Sequence, residues 1–378
     1  MPELQGVGHG QAIAQLCRGL IVRLSTMVGE ITLPLWIGLH AILALAGTWL
    51  ARRYALHRRL LDQPGERRSH SAPTPRGGGI AIVIAWLLGI AWLIVRATSA
   101  MPFLEAAVIG LVLVAGVGWI DDHRPLSPWS RLAVHGLAAM VLALGVFAQG
   151  GNIGLAVAAF CITLVLVNVW NFMDGIDGLA TSQAALAAAG YAIYAGTGTM
   201  AWLAIGLAAA CAGFLPFNLP RARIFLGDVG SGALGFALAV VMVGTAGKGG
   251  STWPVLLMPL SAFLVDATLT LASRMLRGER WWQPHVQHAY QHWARRSGQH
   301  AVVTAAYAGW TLVAVAIMLL ARTSGIAMMV AIILAWYLVG SIVWSRGASA
   351  LLVFPPAPFT LGQSPPMALV PAVCQKLA

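Results

Sequence analysis

The sequence predicts an all-α polytopic membrane protein of about eleven transmembrane helices, with its polar, chemistry-bearing loops on the cytoplasmic side. Composition is the first reason. Of 378 residues, 59% are hydrophobic and 9% charged, and the mean hydropathy is +0.79, whereas an average soluble domain is about one quarter charged. The second reason is a succession of apolar runs long enough to cross roughly 30 Å of hydrocarbon. The third is the placement of arginine, which collects in alternate connectors as membrane topology demands. The net charge of +11 therefore reads as orientation rather than as a polyanion groove, and no nucleic-acid partner is expected.

The elements follow in order. Residues 1–32 form an N-terminal extension: Ile13 to Met27 is partly apolar, but Arg18 and Arg23 interrupt it, so it reads as an interfacial segment rather than a span or a cleaved signal. The membrane domain covers 33–346, with apolar runs at 33–51, 79–95, 103–120, 132–148, 154–172, 179–196, 200–216, 231–247, 253–272, 302–320 and 325–344. Their glycine- and alanine-rich faces suit close helix packing. Residues 347–378, with Pro355, Pro356, Pro358, Pro365 and Pro366, read as an irregular tail. Cys17, Cys161, Cys211 and Cys374 have neither metal-like nor redox-like spacing.

Orientation comes from Arg52, Arg53, Arg58, Arg59, Arg67, Arg68 and Arg76 in one connector, and Arg274, Arg277, Arg280, Arg295 and Arg296 in another. Both belong in the cytoplasm. Counting spans from either places connectors 121–131, 173–178 and 217–230 on the same side. On the opposite side the only connector cations are Arg96, Lys248 and Arg322.

Carboxylates within membrane segments are costly and point to function. Asp121, Asp122, Asp174, Asp177 and Asp228 all fall at cytoplasmic helix ends, and Asp266 lies deeper. Adjacent Asp121 and Asp122 are suited to binding a divalent cation, or to keeping one member as a base, because two close negative charges resist joint ionisation. Arg131 follows nine residues after Asp122. Asn168 and Asn171 share a helix face and lead into Asp174-Gly175 and Asp177-Gly178, where acceptors and a tight backbone suit a metal, a nucleobase edge or sugar hydroxyls. Gly227-Asp228-Val229-Gly230-Ser231 opens a helix, a place for phosphate on backbone N–H groups, and Asp228 suits Mg²⁺. His285, His288 and His292 occupy the connector after Trp281 and Trp282. Phosphate or sugar contacts suit these histidines better than zinc, for which no cysteine is near. Ser69 to Gly79, with Arg76 before three glycines, forms a further candidate phosphate nest.

Together these strings resemble the polyprenyl-phosphate N-acetylhexosamine-1-phosphate transferase family, also called glycosyl transferase family 4. The resemblance runs from about Asp62 to Arg296. It rests on the paired-Asp helix end, the Asn-x-x-Asn-x-x-Asp-Gly-x-Asp-Gly run and the Gly-Asp-x-Gly-Ser turn, in that order. Pro284-His285-x-x-His288-Ala289-Tyr290-Gln291 is similar to the O-antigen-initiating undecaprenyl-phosphate branch and unlike the pentapeptide-muramyl one; Val286 departs from the arginine common at that position.

The resemblance implies a UDP-N-acetylhexosamine donor, an undecaprenyl phosphate acceptor and release of UMP, within the lipid bilayer of a bacterial inner membrane. The active site would face the cytoplasm, and a homodimer is compatible. It implies Asp121 and Asp122 as catalytic and Asp228 and Asn171 as ligands of Mg²⁺, with Mn²⁺ as a substitute. Asn168, Asp174, Gly175 and Asp177 would bind nucleotide or sugar, and Arg131, Arg76, His285 and His288 phosphate. The rival from another class is a secondary transporter, whose intramembrane carboxylates would sit near the midplane rather than on one face.

Overall fold

The computed structural model describes residues 31–63, 72–96, 101–219, 221–247, 250–280, 282–283 and 285–352. The expected interfacial segment, Ser69-His70-Ser71, Lys248, Trp281, Pro284 and the tail beyond Leu352 lie outside these. The chain is an all-α polytopic membrane protein. The eleven apolar runs fall on α1 (Leu33–His57), α2 (Ile80–Arg96), α3 (Met101–His123), α4 (Pro128–Gly150), α5 (Ile153–Met173), α6 (Leu179–Ala195), α7 (Thr199–Asn218), α8 (Asp228–Ala246), α9 (Ser261–Leu276), α11 (His300–Leu320) and α12 (Ile326–Leu352), and among the described residues nine helical segments are long and apolar enough to cross a membrane. The amphipathic α10 (Ala289–Ser297) stands between α9 and α11.

Two departures from the expected pattern have local causes. The run at 253–272 is not one α-helix: Gly250–Leu260 is a 3-10 stretch containing Pro254 and Pro259, each lacking the N–H that an α-helical turn needs. The loop after α1 forms a two-residue antiparallel pair, β1 (Leu61–Asp62) with β2 (Thr74–Pro75). The last helix also continues to Leu352, beyond the expected end of the membrane domain at 346.

Helix starts follow ordinary capping chemistry. Ser127 accepts from the Ser130 N–H ahead of Pro128, and Asn152 accepts from the Leu155 N–H, each satisfying a donor with no partner inside its helix.

The bundle is built around α8. Its small residues, Gly230, Ser231, Gly232, Ala233 and Gly235, let neighbours approach closely, and it is buried from Val229 to Val243 against α2, α3, α5, α6 and α7. At its start Gly79 of the α2 approach and Gly230 lie backbone to backbone, with no room for a Cβ on either. On the periphery, Leu35, Ile42 and Leu50 of α1 and Leu334, Leu338 and Val343 of α12 are exposed. Such continuous apolar surface fits a lipid surrounding. The carboxyl ends of α3, α5 and α7 meet the amino end of α8, and that meeting point holds the site.

Candidate active site

A cavity of about 580 Å³ opens at this end of the bundle. Its walls contain Arg76, Asp122, Arg131, Asn168, Asn171, Asp174, Gly175, Asp228, His285 and His288, drawn from five separated stretches of chain. Two of the expected residues stand outside the wall. Asp121 accepts the Leu126 N–H at 2.6 Å and pairs with Arg131 at 3.0 Å. Asp177 accepts the Ala222 N–H at 3.1 Å and lies 3.3 Å from His300 Nδ1, which ties it to the neighbouring loop and α11.

The paired aspartates part in direction because adjacent helical residues point about 100° apart. Asp121 holds Arg131, while Asp122 turns inward and caps α8, its two oxygens accepting the Asp228 and Val229 N–H groups at 3.1 Å each. A carboxylate there complements the positive end of the helix dipole. This corrects the expectation of a phosphate-binding helix start, because the leading N–H groups of α8 are already taken. The glycine nest after Arg76 is corrected likewise: Gly78 and Gly79 donate to the Phe225 and Leu226 carbonyls at 2.9 and 2.8 Å. Arg76 itself donates to the Asp122 carbonyl and lies 3.9 Å from its carboxylate. As framing groups, Asp121 and Asp122 hold the arginine and the helix that line the cavity.

Asn171 donates to the Asp228 carboxylate and, at 3.0 Å, to Ser231 Oγ, and Arg131 reaches Asp228 at 3.7 Å. One carboxylate and one carboxamide make a hard oxygen set that fits a cation retaining water and ligand phosphate oxygens, as Mg²⁺ does. Among the described residues no group of three His, Cys, Asp or Glu could hold a metal by itself. On the loop after α5, burial first, then the charges of Asp228, Asp122 and Asp177, pushes the Asp174 carboxyl up to about 8. So many like charges around one cavity invite a cation.

The opposite wall is the loop before α10. His285 and His288 have ring centroids 4.8 Å apart. Tyr290 donates its hydroxyl to the Phe172 carbonyl at 3.1 Å, in a space that any side chain at Gly175 would fill. Burial lifts the Tyr290 phenol well above its usual value, so it remains a donor.

Two wall residues were not among the expected ones. His135 is buried in the wall with Nδ1 unpartnered; it follows Arg131 by one helical turn on the same face, and a titratable group in an apolar run was the available signal. Asp62 also lines the cavity, and only tertiary contact brings it there.

The glycosyl transferase family 4 profile matches residues 104–246, the stretch that supplies α3 to α8 and most of the cavity. A phospho-N-acetylmuramoyl-pentapeptide-transferase of Symbiobacterium thermophilum is 34% identical over 226 residues, covering 51% of this chain and 67% of the relative. The chain belongs to glycosyl transferase family 4. Other members of family 4 match as well. A decaprenyl-phosphate N-acetylglucosaminephosphotransferase of Mycobacterium tuberculosis is 30% identical over 239 residues, 55% of this chain and 59% of the relative. A protein of Bacillus subtilis named "Probable undecaprenyl-phosphate N-acetylglucosaminyl 1-phosphate transferase" is 25% identical over 262 residues, 64% and 72% respectively. The chain thus spans about six-tenths of the length of its mycobacterial family 4 relatives.

Proposed function

We propose that this protein transfers N-acetylhexosamine-1-phosphate from a UDP-sugar to undecaprenyl phosphate, giving undecaprenyl-diphosphate-sugar and UMP, at the cytoplasmic face of a bacterial inner membrane. The product would open a cell-surface glycan, O-antigen or a related cell-wall polymer. The observation that carries this is a single cavity at a helix-bundle end that joins acidic and amide oxygens on one wall to Arg76, Arg131, His285 and His288 on the others. A site at that depth lets a prenyl chain remain in lipid while its phosphate meets a water-soluble nucleotide. The printed activities of the mycobacterial and Bacillus relatives support the same reaction class.

In the reaction, an oxygen of the acceptor phosphate attacks the phosphorus that bears the sugar, and the bond to UMP breaks. Asp228 and Asn171 would hold Mg²⁺ or Mn²⁺, which when bound supplies neutralisation of the diphosphate charge. Arg131, released from part of its pairing with Asp228 and Asp121, shares the charge on the transferred group, and Arg76, His285 and His288 orient the phosphates. Asp174 and Asn168, with the Gly175 turn, shape the nucleotide-sugar end. Asp122 keeps the start of α8, and so Asp228, in place.

The decisive experiment offers membranes containing the protein a panel of UDP-N-acetyl sugars labelled in the sugar, with undecaprenyl phosphate and Mg²⁺. Label should move to the lipid phase with release of UMP, and EDTA should stop it. Label that stays aqueous for every donor would reject the reading. UDP-N-acetylmuramoyl-pentapeptide belongs in the panel because of the Symbiobacterium relative, although the histidine loop favours a simple N-acetylhexosamine.

A further inference from the structure

Asp266 lies within α9, inside a membrane-crossing segment, and is 2% exposed. A carboxylate so placed is costly unless its lone pairs are filled, and here they are. Oδ1 accepts from Thr270 Oγ1 at 3.1 Å, the Ala289 N–H at 2.9 Å and Trp344 Nε1 at 3.2 Å. Oδ2 accepts from the Tyr290 N–H at 3.1 Å and the Tyr307 hydroxyl at 2.7 Å. His288 Nδ1 stands 3.5 Å from Oδ1. The donors come from α9, from the start of α10, from α11 and from α12, so one side chain ties the histidine loop to three membrane helices.

Two of those donors are the first amides of α10, which a carboxylate caps in the manner of an N-terminal aspartate. The His288 side chain is 4% exposed and forms part of the cavity wall. His288 Nδ1 is buried without a hydrogen-bond partner and has the Asp266 carboxylate 3.5 Å away, so a proton is favoured on Nδ1 by charge and Nε2 is left for a ligand. The same two-residue cap fixes Tyr290, whose hydroxyl closes on the Phe172 carbonyl. Among the described residues, His288 is the ion-pair partner of Asp266.

We propose that Asp266 is a positioning residue for transfer: it clamps the amino end of α10 and the Nδ1 of His288, and it acts on the nucleotide-sugar diphosphate only through His288. This rests on the reading of the cavity given above. A double-mutant cycle tests it with Asp266→Asn, His288→Ala and the two combined. Asp266→Asn should raise KM for the UDP-sugar about tenfold with a smaller change in kcat, and should add nothing on the His288→Ala background. Effects that multiply, or an unchanged KM in Asp266→Asn, would overturn it. If Asp266→Asn does not fold, Asp266→Glu, which moves the charge one methylene outward, runs the same cycle under the same criterion.

A second readout needs no turnover. Diethyl pyrocarbonate labelling of the purified protein, mapped by mass spectrometry, should show His288 reacting several-fold faster in the Asp266 variant while His292, inside the α10 that His288 precedes, keeps its wild-type rate. Equal acceleration of both would mean a melted helix, and no acceleration would mean that Asp266 does not hold the ring; either overturns the proposal. A wild-type protein that transfers no sugar phosphate rejects the reading of the cavity, while the labelling still decides the hold of Asp266 on His288.

Discussion

Asp228 faces Asn171, Arg131 and the cavity at once, so exchanging its charge for an amide of the same size isolates one property. Asp228→Asn should lower transfer by at least about 100-fold, since the cation would lose its one protein carboxylate, with unchanged protein in the membrane by immunoblot. A near-normal rate would remove Asp228 from the cation site. Asp174 makes a different prediction. Its folded-state value of about 8 lies above the ordinary 3.8, so the folded protein holds a proton that the unfolded chain releases. Stability from this group is present at low pH and is lost as pH rises from about 4 to about 8. The thermal midpoint of the cation-free protein in detergent should fall across that window, and Asp174→Asn should flatten the fall; an unaltered slope would show that other groups cause it. At this scale the sequence announced most residue types, since aspartate and asparagine in apolar runs stand out. It did not announce their directions: Asp121 and Asp122 are neighbours in the chain and serve different partners in space.

Among the elements, the seam between α3 and α8 matters most for the site. Gly118 lies against the Asp228 carbonyl, where a Cβ would collide, whereas Gly116, two residues earlier, has nothing within 4 Å. Gly118→Ala should push back the start of α8, cost about 1–3 kcal/mol of stability and reduce transfer, while Gly116→Ala should change neither; equal behaviour in thermal melts and activity would refute a tight seam. The spans themselves were legible because hydrophobic length is a local property. The Gly227 to Gly230 turn was legible as a helix start but not as an occupied one, because the capping carboxylate comes from a residue about a hundred positions earlier. For the same reason Asp266 was visible as an intramembrane acid, but its tie to α10 was not.

For the molecule as a whole, the proposed orientation places the cavity mouth in the cytoplasm. Ser130, exposed at the start of α4, is a reporter for it. In Ser130→Cys, a membrane-impermeant maleimide should label intact spheroplasts no more than the wild type and should label after permeabilisation; labelling of intact cells would invert the topology. The central, glycine-rich α8 and the apolar outer faces of α1 and α12 explain how a chain with so few charges keeps its polar groups together at one end.

What the sequence determined by itself was the all-α membrane class, the apolar helical runs and the polar residue types at their ends, because hydrophobic length acts along the chain. Only the tertiary structure decided which of those residues line one cavity, that Asp122 and Asp266 serve as caps, and that Asp121 and Asp177 stand behind the wall. Hydrogen bonds between helices are fixed by packing and side-chain direction, and neither is written in the spacing of residues along one strand of sequence.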